Sequence, residues 1–71
     1  MKINVQAVKG LIKEKFRNNQ TWFAEEIEID AHYFNQILLG NKSATSPKAC
    51  RGVINYCKKN DLEIKDFIIF W

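Results

Sequence analysis

Between Asn19 and Asn41 the chain reads NQTWFAEEIEIDAHYFNQILLGN, two short amphipathic stretches, each opened by a residue able to cap a helix and separated by almost nothing. Asn19 is placed to cap the first, whose apolar residues Phe23, Ala24 and Ile27 fall at i, i+1 and i+4 of one face. Asp30 is placed to cap the second. There Phe34, Ile37 and Leu38 make a single stripe, and Gly40 stands where a left-handed C-terminal turn is wanted. Only Glu28 and Ile29 lie between the two stretches, so the helices must cross at a steep angle.

The flanking segments extend this pattern. Val5, Val8, Leu11, Ile12 and Phe16 recur at three- and four-residue intervals, predicting a helix from Asn4 that ends near Arg17, where Asn18 and Asn19 break the periodicity. Gly10 weakens that helix by up to about 1 kcal/mol relative to alanine and is a candidate for close packing. After a polar loop from Asn41 to Ser46, the pair Ser46-Pro47 is a helix start, a capping hydroxyl followed by proline at the first helical position. The helix it opens carries Cys50, Val53, Ile54 and Cys57 on one face and ends near Asn60, where Lys58 and Lys59 suit the negative pole of its dipole. Residues 61 to 68 read as a short fifth helix, and Phe67 to Trp71, β-branched and aromatic, fit a short strand equally well. The expectation is a single all-α domain of five helices over residues 1–71, with a possible short C-terminal strand.

At 71 residues and 46% hydrophobic content there is room for one small core and none for a second domain. One histidine, no glycine-rich phosphate loop and no nucleophile-base pair argue against an enzyme, and no cofactor is expected. The net charge of +3 suits a polyanionic partner. Lys2, Asn4, Gln6 and Lys9 interrupt the first apolar residues, which is unlike a secretory leader, and no segment is long enough to span a membrane. Cys50 and Cys57 lie seven residues apart. On a helix their Cα atoms are then about 10 Å apart, too far for a disulfide. Two reduced core thiols fit a cytoplasmic protein, and His32 alone does not complete a zinc site with them.

Any small helical bundle contains consecutive amphipathic helices, so the outward face of the third helix decides more than its inward one. With residues spaced about 100 degrees apart, His32, Gln36 and Leu39 lie opposite the apolar stripe, flanked by Asn35 and Tyr33. This face has no Glu or Lys. It offers amide, imidazole and phenol groups suited to base edges, and Leu39 can meet a thymine methyl.

The chain at this point resembles the helix-turn-helix domains of phage repressors, Cro proteins and their bacterial relatives of the xenobiotic-response-element group. Phe23-Ala24 is similar to that family's apolar-alanine pair, Ile29-Asp30 to the apolar residue and cap before its recognition helix, and Ile37 and Gly40 to its closing apolar and glycine positions. Ser46-Pro47 resembles the start of its fourth helix, and Leu62 to Ile68 its final apolar segment. The similarity covers residues 5 to 68, each element being unspecific alone. It implies a repressor-like fold and a sequence-specific DNA-binding regulator, a repressor of phage or mobile-element type. It places Ala31, His32, Asn35 and Gln36 at base-reading positions and Gln20, Asn41, Lys42 and Ser43 on phosphates, with Lys48 and Arg51 weaker phosphate candidates. Two features depart from the pattern. Glu28 stands where the family's turn has glycine, at a cost of roughly 1 kcal/mol if the backbone is left-handed. Glu25, Glu26 and Glu28 form an acidic run that must keep away from phosphate.

Phe67, Ile68, Ile69, Phe70 and Trp71 are five consecutive apolar residues in a chain too small to hide them all. Phe67, Ile69, Phe70 and Trp71 are therefore candidates for a homodimer interface, and a twofold dimer reads double-stranded DNA at a pseudo-palindromic operator. The alternative is a protein-interaction module on the same fold, an antirepressor or antitoxin-like adaptor using the acidic second helix and the apolar C-terminus.

Overall fold

Four helices begin at a side chain that accepts a hydrogen bond from the backbone three residues on, so their starts are set locally. Asn4 Oδ1 accepts from Ala7 N–H (3.3 Å) and opens α1, Val5–Lys15. Asn19 accepts from Trp22 N–H (3.0 Å) and opens α2, Gln20–Glu26. Asp30 accepts from Tyr33 N–H (2.9 Å) and opens α3, Ala31–Leu39. Ser46 Oγ accepts from Ala49 N–H (3.4 Å) and opens α4, Pro47–Lys59, with Pro47 in its first turn. A fifth, one-turn helix, α5, covers Ile64–Phe67. The computed structural model describes residues 1–70; the part Trp71 was expected to play at an interface lies outside them.

Three of these helices end the same way. At the end of α2, Glu28 N–H donates to Glu25 O (3.1 Å) and Ile29 N–H to Ala24 O (2.9 Å), with Glu28 left-handed at φ 59°. At the end of α3, Gly40 (φ 88°) N–H donates to Ile37 O (3.1 Å) and Asn41 N–H to Gln36 O (2.9 Å). After α4, Asp61 is left-handed at φ 57° and Leu62 N–H donates to Cys57 O (2.8 Å). Each closing pair satisfies carbonyls that the helix itself leaves without partners. The turn between α2 and α3 therefore keeps a glycine-like backbone at Glu28 and accepts its steric cost. Between the C-cap Ile27 and the N-cap Asp30 lie Glu28 and Ile29, the two residues expected.

The all-α expectation needs one correction. Lys2–Ile3 forms a strand, β1, that pairs antiparallel with β2, Ile68–Ile69, placing Lys2 opposite Ile69 and Ile3 opposite Ile68. The C-terminal strand agrees with the β-branched, aromatic run there; its partner has no signal in the sequence, because one apolar residue between Lys2 and Asn4 carries no periodicity. The pairing is tertiary in origin. Ile3 and Ile68 are each 1% exposed, Ile3 N–H donates to Ala44 O (2.9 Å), and Asn4 N–H donates to Phe67 O (2.9 Å). The two ends of the chain thus clasp each other over the end of the core.

That core takes Val8, Leu11, Ile12 and Phe16 from the first helical segment, Phe23 and Ala24 from α2, Phe34, Ile37 and Leu38 from α3, and Ala49, Cys50, Val53 and Cys57 from α4. Both thiols are free and buried, and burial pushes each above its ordinary pKa. Phe23 sits at the centre of an aromatic group, 5.1 Å from Phe16, 5.6 Å from Phe34 and 5.2 Å from Tyr56 between ring centroids. Trp22 packs edge-on against Phe16 at 4.9 Å while remaining exposed.

Gly10 does not mark a close approach: a Cβ built there meets nothing within 4 Å. Gly52 does. A Cβ at that position lies 3.1 Å from Ile27 O and 3.3 Å from Ile27 Cβ, so α4 rests against the turn after α2 at a separation that a side chain would widen. Gly10→Ala is therefore expected to stabilise the fold by about 0.5–1 kcal/mol through helix propensity alone. A urea midpoint that fails to rise would show that the exposed face of α1 is constrained in some other way. Among the described residues, no helix is long and apolar enough to cross a membrane.

Candidate nucleic-acid interface

α3 is anchored from beneath by Phe34, Ile37 and Leu38, which are 0%, 1% and 3% exposed. Anchoring on three residues of one stripe fixes the rotation of the helix, so its opposite side faces outward. His32 and Leu39 are exposed there, and Ala31, Asn35 and Gln36 are half-buried. Ala31, His32 and Asn35 share one shallow surface cleft with Gln20 and Thr21 from the first turn of α2. Three of the four expected base-reading residues and one expected phosphate-binding residue are thus brought together.

A second cleft continues from the first through Gln20. It is lined by Gln6, Lys9, Gly10, Ile12 and Lys13 of α1 together with Asn18. These residues, and Thr21, were not singled out from the sequence. The signal was present in the spacing of Gln6, Lys9 and Lys13, a polar stripe on α1, but nothing local tells which way such a stripe faces.

On the other flank, the loop after α3 is tied back to the helix. Asn41 Nδ2 donates to Gln36 Oε1 (2.9 Å). The Lys42 ammonium lies 5.9 Å from the centre of the Tyr33 ring, within cation–π range. Tyr33 itself does not flank the outer face freely: its hydroxyl donates to Ser46 Oγ (2.8 Å), joining α3 to the capped start of α4. Ser43 Oγ accepts from Thr45 N–H (3.1 Å) and also bonds the Thr45 hydroxyl, so part of its hydrogen-bonding capacity is spent inside the loop.

Two members of the acidic run are set apart, and Glu25 is exposed on α2. Glu26 and Glu28 border a cleft with Asn55, Tyr56 and Lys59 of α4, apart from the cleft of Gln20 and α3. The Tyr56 hydroxyl there is held above its ordinary pKa, chiefly by burial and secondarily by the Glu26 carboxylate. Lys48 and Arg51 line another cleft, with Glu28 and Ile29 at the turn, and do not join the α3 face. Of the expected interface residues near the C-terminus, Phe67 is half-buried against the core, whereas Ile69 and Phe70 are 39% and 59% exposed.

The outer face of α3 thus carries imidazole, amide and aliphatic side chains, with Lys9 and Lys13 of α1 beyond Gln20 and Lys42 in the loop. Among the described residues no polar or charged side chain is buried, and no group of three or more His, Cys, Asp or Glu side chains is placed to hold a metal ion. Comparison with protein-family models, with curated proteins and with solved structures returned no match.

Proposed function

We propose that this chain is a sequence-specific DNA-binding regulator, a repressor of phage or mobile-element type, that lays α3 in the major groove. The observation that carries the reading is the outer face of α3. His32, Asn35, Gln36 and Leu39 present imidazole, amide and methyl groups, with no carboxylate or ammonium among them, complementary to base edges. The adjoining start of α2, with Gln20 and the α1 lysines beside it, supplies donors and cations of the kind that hold phosphates. Two of the three acidic residues that would oppose DNA, Glu26 and Glu28, border α4 instead. The exposed Ile69 and Phe70 extend the proposal to a twofold dimer.

Selection of bound sequences from random duplex DNA tests both parts. The expected product is a motif of two inverted half-sites with centres about 10 base pairs apart, the spacing that sets two α3 helices in successive major grooves. A single unrepeated half-site would remove the dimer from the proposal. No enrichment at all would remove DNA, and would favour the same fold acting as a protein-interaction module through Ile69 and Phe70.

A further inference from the structure

Asn41 is joined to Gln36 twice. Its main-chain N–H donates to the Gln36 main-chain oxygen at 2.9 Å, and its side-chain Nδ2 donates to Gln36 Oε1, also at 2.9 Å. The first bond belongs to the turn that Gly40 makes possible at φ 88°, which brings the chain back over the last turn of α3. The Asn41 backbone is therefore held in place, and its side-chain amide, donating from that point, restrains a glutamine whose own amide would otherwise rotate freely at the surface.

We infer that Asn41 is a positioning residue that sets the orientation of the Gln36 amide, and through it the base preferred at one pair of the site, rather than a phosphate ligand. The inference rests on the reading of α3 as the base-contacting helix. An amide oxygen has two lone pairs. Asn41 occupies one, leaving the other together with both Nε2 protons, so Gln36 presents an acceptor and a donor in a fixed order. That order complements adenine, whose N6 donates and whose N7 accepts in the major groove. An amide turned by half a revolution would present the same groups exchanged and would fit a different base edge. Because donor and acceptor are distinguished only by this bond, its polarity carries sequence information although Asn41 itself touches no base.

The test is selection from random duplex DNA with the wild type, Gln36→Ala, Asn41→Ala and Asn41→Asp, followed by titration of each on the wild-type sequence. Gln36→Ala should flatten the preference at one base pair, identifying it. Asn41→Ala should weaken discrimination at that same pair about three- to tenfold and leave the other positions unchanged, within the range a bidentate amide contact supplies. Asn41→Asp cannot donate to Oε1 and accepts from Nε2 instead, which turns the amide round, so it should change the preferred base at that pair. Variants at Asn41 that lower affinity for every sequence equally, with an unaltered motif, would overturn the inference and return Asn41 to a phosphate. If Gln36→Ala altered no position, the inference would fall while DNA binding stood. If the wild type selected no motif, both would fall together.

Discussion

Phe23→Ala should cost about 3–5 kcal/mol of folding free energy, which is most of what holds a domain of this size together. Phe23 is 0% exposed, and its ring meets Phe16 at the end of the first helix, Phe34 on α3 and Tyr56 on α4. Truncation to alanine removes the apolar area that the ring buries and leaves a void bordered by three other rings. Those rings are held by separate elements and cannot all close on the space at once, so the cost belongs at the upper end of what core truncations give. The edge-to-face geometry with Phe16 and Tyr56, at 82° and 72° between planes, is lost as well. Thermal and urea unfolding followed by circular dichroism should show either a greatly lowered midpoint or no cooperative transition. A loss under about 1 kcal/mol would mean that α2 is not held through this residue.

The second large effect concerns binding. On the proposed site, His32→Ala and Gln36→Ala should each cost about 1–3 kcal/mol against the preferred sequence and much less against a scrambled duplex. Both side chains stand on the outer face of α3 and neither belongs to the core, so the fold should be retained. The two are one helical turn apart, and the double variant should fall short of or exceed the sum if they share a base step. Lys42→Ala supplies the contrast. It should weaken all sequences alike and make the slope of log affinity against log salt shallower by about one. Fluorescence anisotropy against cognate and scrambled duplexes at several salt concentrations separates the two patterns. Unchanged specific affinity in both the His32 and Gln36 variants would remove the base-reading assignment.

What could be read without coordinates was whatever depends on neighbours in sequence. Asn19, Asp30 and Ser46 cap helices because each acts on an amide three residues away, and Gly40 closes α3 because left-handed backbone favours glycine. The apolar stripes gave all five helices, since their spacing follows from the helical repeat. What could not be read depends on residues far apart meeting. β1 exists because Ile3 finds Ile68 at the other end of the chain. Gly10 and Gly52 are both glycines in helices, yet only the second faces another backbone, and the helical pattern alone does not distinguish them. The same limit hid the approach of the α1 lysines to Gln20, and the Tyr33–Ser46 bond that spans 13 residues. The Asn41–Gln36 bond is a different case: it is local, but the two side chains meet only because the left-handed turn at Gly40 brings the chain back over α3.

α3 has its own opening signal at Asp30 and its own closing signal at Gly40, both acting within a few residues of the helix they bound. Between them, Phe34, Ile37 and Leu38 fasten the helix to the core and Tyr33 fastens it to α4. His32, Asn35 and Leu39 carry none of that burden, and the Gln36 side chain is tied only to Asn41. The helix is therefore an interchangeable cartridge: its punctuation and anchors can stay while its outer lettering is rewritten, and only the Asn41 side chain, bonded to Gln36, registers the change. If α3 reads bases as proposed, descendants of one ancestral chain could diverge in what they recognise long before they diverged in how they fold.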